Sequence, residues 1–158
     1  MRTSIVVGLA CCAGLTGCGG HKAVEINPKE QVVGSRWNAS LATPTELAGA
    51  IQVKGNAWMG ADSKDPSRTL AHVSISNAAP GGQHPWHVHI GSCGSDQGIL
   101  GPANGYPPLK VNGDGRADAD AVLPIELPRQ GQYFVNVHAS AANMSTIVAC
   151  GNLAPPSR

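Results

Sequence analysis

Residues His84-Pro85-Trp86-His87-Val88-His89 carry three of the chain's 6 histidines, and Val135-Asn136-Val137-His138 carries another. On an extended strand successive side chains alternate faces, so His87 and His89 project to the same side with Cα atoms roughly 6–7 Å apart. Two imidazoles placed in this way can share one metal ion. In the later run Tyr133, Val135 and Val137 take one face and Phe134, Asn136 and His138 the other, which makes His138 a third candidate ligand if folding joins the two runs. Neutral imidazoles suit copper or zinc, whereas magnesium and calcium want oxygen. His84 falls on the opposite strand face from His89. His72, in a run with Leu70 and Ser74, reads as packing, and His21 lies near the N-terminus, away from these runs.

The elements that must position these rings read as strands. From Trp37 onward short alternating runs are broken by Gly, Pro, Asn and Asp, with no helical period sustained over three turns. Strands are predicted over 37–42, 47–58, 69–77, 86–90, 108–111, 116–124, 133–138 and 147–153. Seven or eight antiparallel strands with frequent turns predict an all-β sandwich or barrel. Asn112-Gly113-Asp114-Gly115 predicts a hairpin turn in which both glycines adopt positive φ. Residues 95–107, rich in Gly, Pro and small polar side chains, predict an irregular loop. Asp114, Asp118 and Asp120 lack the spacing of a calcium loop; alternating with alanines, the last two read as the wet face of a strand.

An apolar run from Ile5 to Leu15 follows Arg2 and is too short to span a bilayer, which predicts a signal peptide. It closes on Leu15-Thr16-Gly17-Cys18, which resembles the bacterial lipobox. That resemblance implies acylation of Cys18 and a lipid tether that holds the chain at a membrane outside the cytoplasm, in the periplasm or at the cell surface. Residues 1–17 then form the signal, 18–35 a flexible lipidated tether, 36–154 the folded domain and 155–158 a tail. Of the 5 cysteines, Cys11 and Cys12 leave with the signal and Cys18 takes lipid, so Cys93 and Cys150 remain. An oxidising compartment favours pairing them as a disulfide; the alternative is two thiolate metal ligands. The formal charge is +1 before Arg2 is lost and only 4 % of residues are aromatic. Neither a basic field nor a base-stacking surface is present, so nucleic acid is not an expected partner.

The order of a histidine, two residues, HxH, a later VxVH and a closing ACG resembles the copper/zinc superoxide dismutase superfamily. Here those residues are His84, His87-Val88-His89, Val135-Asn136-Val137-His138 and Ala149-Cys150-Gly151, and Asn112-Gly113-Asp114-Gly115-Arg116-Ala117-Asp118 looks like the family's turn before its next strand. The resemblance runs weakly from Trp37 to Leu153. It implies a Greek-key β-barrel or sandwich, copper held by His87, His89 and His138, a disulfide from Cys93 to Cys150, and a structural role for His84 through a backbone hydrogen bond.

The departures fall on the parts that support catalysis. No histidine lies between His89 and His138, so the family's bridging ligand and zinc site are missing, and no zinc is expected. The position of the family's anion-guiding arginine, three residues before the closing cysteine, holds Ile147. The resemblance therefore implies a copper-only site with superoxide as substrate and weak turnover; the alternative is a copper-binding lipoprotein without catalysis. The run Tyr133-Phe134-Val135-Asn136-Val137-His138-Ala139-Ser140 also looks like part of a chordin-type (CHRD) β module, against which the Cys93 and Cys150 pair with its ACG ending tells.

Overall fold

The computed structural model describes residues 35–156. The signal segment predicted over 1–17, the lipidation predicted at Cys18, the predicted tether up to residue 34 and residues 157–158 lie outside the described residues. The strands are β1 (Trp37–Ala42), β2 (Lys54–Ala61), β3 (Thr69–Ser76), β4 (Gln83–His84), β5 (Trp86–Ser92), β6 (Ser95–Ile99), β7 (Leu109–Lys110), β8 (Ala117–Leu123), β9 (Tyr133–Ser140) and β10 (Asn143–Leu153), with one 3-10 turn at Ala103–Gly105. Eight of them form a single sheet in the order β6-β5-β9-β10-β1-β2-β3-β8, while β4 and β7 pair with each other. All pairings are antiparallel.

Alternation in sequence decides which face of this sheet is dry. In β1 Trp37, Ala39 and Leu41 are buried between exposed neighbours, and β3 repeats the pattern with Thr69, Ala71, Val73 and Ile75. The sheet curls around these side chains as a half-barrel, closing over a core that also holds Met59, Trp86, Leu109 and Leu123. The chain leaves β3 at one flank, enters β5 near the other, returns to β8 beside β3 and crosses again to β9. These three crossings make the topology Greek-key, and the last places β9 between the HxH strand β5 and the Cys150 strand β10.

Three local expectations are corrected. The run 47–58 becomes a strand only from Lys54, because the backbone after Pro44 folds into consecutive turns: the Leu47 amide donates to the Pro44 carbonyl and the Ile51 amide to that of Leu47. Asn112 to Gly115 is a turn but not a hairpin, since β7 pairs with β4 and β8 with β3. The Asn112 side chain caps it by accepting the amides of Asp114 and Arg116, and of its two glycines only Gly115 has positive φ, at 72°. The segment 95–107 opens with strand β6, paired to β5. Its side chains are mostly exposed, so the alternation that announces a half-buried strand is absent.

His72 packs on the outer face of the sheet. Its ring stacks on Trp58, whose other neighbour is the Arg36 guanidinium 3.8 Å from the ring centroid, and its Nδ1 lies 2.7 Å from Asp120.

Candidate metal centre

Strand register brings the three rings together. In the β5·β9 pairing His87 faces Asn136 and His89 faces Phe134, and His138 lies one step beyond, at the end of the ladder where its amide donates to the Pro85 carbonyl. His87, His89 and His138 are all buried, and a ligand nitrogen from each lies within 4.8 Å of the other two. His87 Nδ1 is 3.3 Å from His138 Nε2. Ring centroids are separated by 5.3 Å for His87 and His138, 5.7 Å for His87 and His89, and 6.0 Å for His89 and His138. Such a group can hold a metal ion.

What turns the rings inward is a set of acceptors behind them. His138 Nδ1 donates to the Met144 carbonyl at 2.6 Å, and His89 Nδ1 donates to the Asp96 carboxylate at 3.0 Å. A backbone hydrogen bond to Ala103 engages His87, whose Nδ1 is the nitrogen turned to His138. Carbonyls and carboxylates only accept, so each outer nitrogen donates, and the inner nitrogen of each ring in its neutral form is the one free to ligate. His89 Nε2 is buried with no hydrogen-bond partner. A cation between the three inner nitrogens would give His89 Nε2 the partner it lacks.

Irregularities in the ladder make these contacts possible. The β9·β10 register shifts on either side of Ile147, the residue opposite His138, and the resulting bulge lets the Met144 carbonyl reach the ring edge. The β5·β6 register shifts between His89 and Gly91, which brings Asp96 back toward His89. Gly91 has φ 111° and a Cβ there would strike the Ser95 carbonyl, so this bulge requires glycine. Phe134 stacks on His89 with centroids 5.1 Å apart, and Tyr106 meets His87 edge-on at 5.2 Å.

Burial, followed by the neighbouring His138 and His89 rings, pushes His87 from 6.5 down to about 4, against the opposing pull of the Ala103 carbonyl. Burial also lowers His138, while the Met144 carbonyl works the other way. Partial burial pushes the Asp96 carboxyl up, but the Gly98 amide and the His89 ring outweigh it and hold the group below its ordinary value. Around neutral pH His87 and His138 are thus uncharged and fit to ligate. In metal-free protein the unfolded chain binds more protons than the folded one between the two His87 values, so stability falls as pH drops from about 6.5 to about 4 and levels off below. The expected loss from His87 is about 3 kcal/mol, read as a falling urea midpoint; a flat midpoint across this window contradicts it.

His84 sits beside the centre but outside the group of three. Its Nδ1 donates to the His138 carbonyl at 2.9 Å, tying β4 to the ligand strand. Cys93 and Cys150 form a disulfide, with Cα atoms 6.1 Å apart. Residue types and spacing did not point to the supporting groups Asp96, Ala103 and Met144. Two of them act through backbone carbonyls, which leave no mark on residue type, and the usable hint for Asp96 is Gly94, whose φ of 84° turns the chain back along β5.

Tyr106 holds the Ala103 segment in place. Its hydroxyl donates to the Leu100 carbonyl at 2.7 Å, and its ring packs against both Trp86 and His87. Tyr106→Phe keeps the ring and frees the segment, so metal affinity is expected to fall roughly tenfold with the melting temperature little changed. Competition against a chelator measures this, and unchanged affinity rejects the role.

An open cavity of about 880 Å³ borders the centre on the His138 and Asp96 side, between the chain after β1 and the bulged start of β10. No protein-family model and no curated protein matches the chain.

Proposed function

We propose that this chain is an exported, lipid-anchored copper protein of the copper/zinc superoxide dismutase-like superfamily, working with copper alone and turning superoxide over slowly. The observation that carries the proposal is the convergence of three imidazole nitrogens, His87 Nδ1, His89 Nε2 and His138 Nε2, beside an open cavity. An all-imidazole set suits copper in both of its common oxidation states. Copper, when bound, supplies a one-electron couple through which one superoxide is oxidised to oxygen and a second, with two protons, is reduced to hydrogen peroxide.

The protein's own part is to hold and shield. Asp96, Ala103 and Met144 fix the ring orientations, Phe134 and Tyr106 wall the rings off from solvent, and the cavity leaves one side accessible. No histidine between His89 and His138 offers a bridge to a second metal or a nearby proton donor, which is why slow turnover is expected. The lipobox-like Leu15-Thr16-Gly17-Cys18 supports the envelope location, and the disulfide suits an oxidising compartment.

A second reading, a copper store without turnover, is favoured by the charge at the opening. The charged residues lining the cavity are Glu46 and Asp96, both acidic, so nothing there draws an anion inward. Elemental analysis and a superoxide-decay assay on copper-loaded protein discriminate. One copper per chain with decay well above free copper supports dismutation; one copper without added decay supports the store. Protein that takes no copper rejects both.

A further inference from the structure

The cavity beside His138, at about 880 Å³, is far larger than a diatomic anion needs and falls in the range that houses small organic ligands. Along one wall β9 presents Phe134, Asn136 and His138 on successive same-face positions. Asn136 is 7 % exposed. Its backbone is engaged in the ladders to β5 and β10, yet its side-chain amide makes no hydrogen bond with any described residue. Asn136 lines the cavity, so this unpaired amide is available to a group that enters from there. It offers a donor and an acceptor together.

The remaining surface sets the class of ligand. Leu47, Met144 and Ile147 give apolar walls opposite and beside Asn136. The two carboxylates of Glu46 and Asp96 offset the charge of a divalent ion held by the three rings. A charged ligand would give up hydration without a fixed counter-charge to replace it, whereas an uncharged one would not.

We infer that the cavity binds an uncharged, ring-sized organic molecule whose carboxamide-like edge pairs with the Asn136 amide and whose ring lies against Leu47 and Met144, next to the metal position. The choice of an uncharged ligand rests on the copper reading, since only a bound divalent ion offsets Glu46 and Asp96; the contact with Asn136 rests on the cavity alone, and the two can fail separately.

Calorimetric titration of the full chain with benzamide, benzoate and benzylammonium tests it. On copper-loaded protein benzamide is expected to bind at least about tenfold more tightly than either ion. On loaded and metal-free protein alike, Asn136→Leu is expected to weaken benzamide roughly tenfold, with the copper content unchanged. Binding of either ion as tight as that of benzamide to loaded protein overturns the inference, and so does benzamide affinity unaffected by Asn136→Leu. Should that variant not fold, Leu47→Arg crowds the cavity from the opposite wall: loss of benzamide binding supports the inference and unchanged binding overturns it. A chain that takes no copper but binds benzamide through Asn136 sinks the copper reading alone.

Discussion

His138→Ala is expected to leave the purified protein almost free of copper and to abolish any acceleration of superoxide decay, while the fold persists. The loss should exceed the roughly 10- to 100-fold that removal of a supporting partner costs a metal site, because the ring is at once a ligand and the neighbour toward which His87 Nδ1 is turned. Alanine keeps the backbone carbonyl that His84 Nδ1 uses, so β4 stays docked and circular dichroism should hardly change. Dialysis against a buffered copper pool followed by elemental analysis measures the effect. If the variant retains a full equivalent of tightly held copper, the ion is bound elsewhere, and His87, His89 and His138 are only packed side chains.

The second large effect belongs to the disulfide. Cys93 and Cys150 are 57 residues apart in sequence, and closing a loop of that length removes unfolded-state entropy worth about 4 kcal/mol. Cys93→Ser with Cys150→Ser, or reduction of the native protein, is expected to lower the melting temperature by roughly 10–20 °C. The bond also anchors the turn between β5 and β6, where the Cys93 amide donates to the Asn152 side chain, and Asp96 follows on that turn. Copper affinity should therefore drop along with stability. A melt unchanged by reductant, at a protein concentration where reduction is verified, goes against both expectations.

The parts of the fold that were legible in sequence are those in which burial alternates. Trp37, Ala39 and Leu41 announce β1 to the residue, and the parity of His87, His89 and His138 places them on one face of the β5·β9 pair. Cys93, Cys150 and the ACG ending were legible because so few cysteines remain beyond residue 18. Gly151 of that ending has a visible purpose in the fold: a Cβ there would strike the Ser40 carbonyl, so β1 and β10 could not lie so close. What escaped was decided by backbone geometry or by tertiary context. Leu47 and Ile51 look like strand residues until the turns after Pro44 claim them. β6 sits at the sheet edge with four of its five residues exposed, so no apolar period marks it, and Asp96 was lost with it. The carbonyls of Ala103 and Met144 became partners only through loop placement and a bulge.

The position of β10 carries a consequence for the order of events in the life of the molecule. All three imidazoles precede residue 140 in the chain, but the carbonyl that aims the His138 ring and the cysteine that locks the β5 end both belong to this last strand. A chain emerging N-terminus first holds every ligand some time before it can orient them. An ion taken up by these rings would therefore be captured last in maturation, and a product cut short before Asn143 would carry every histidine without the groups that orient them.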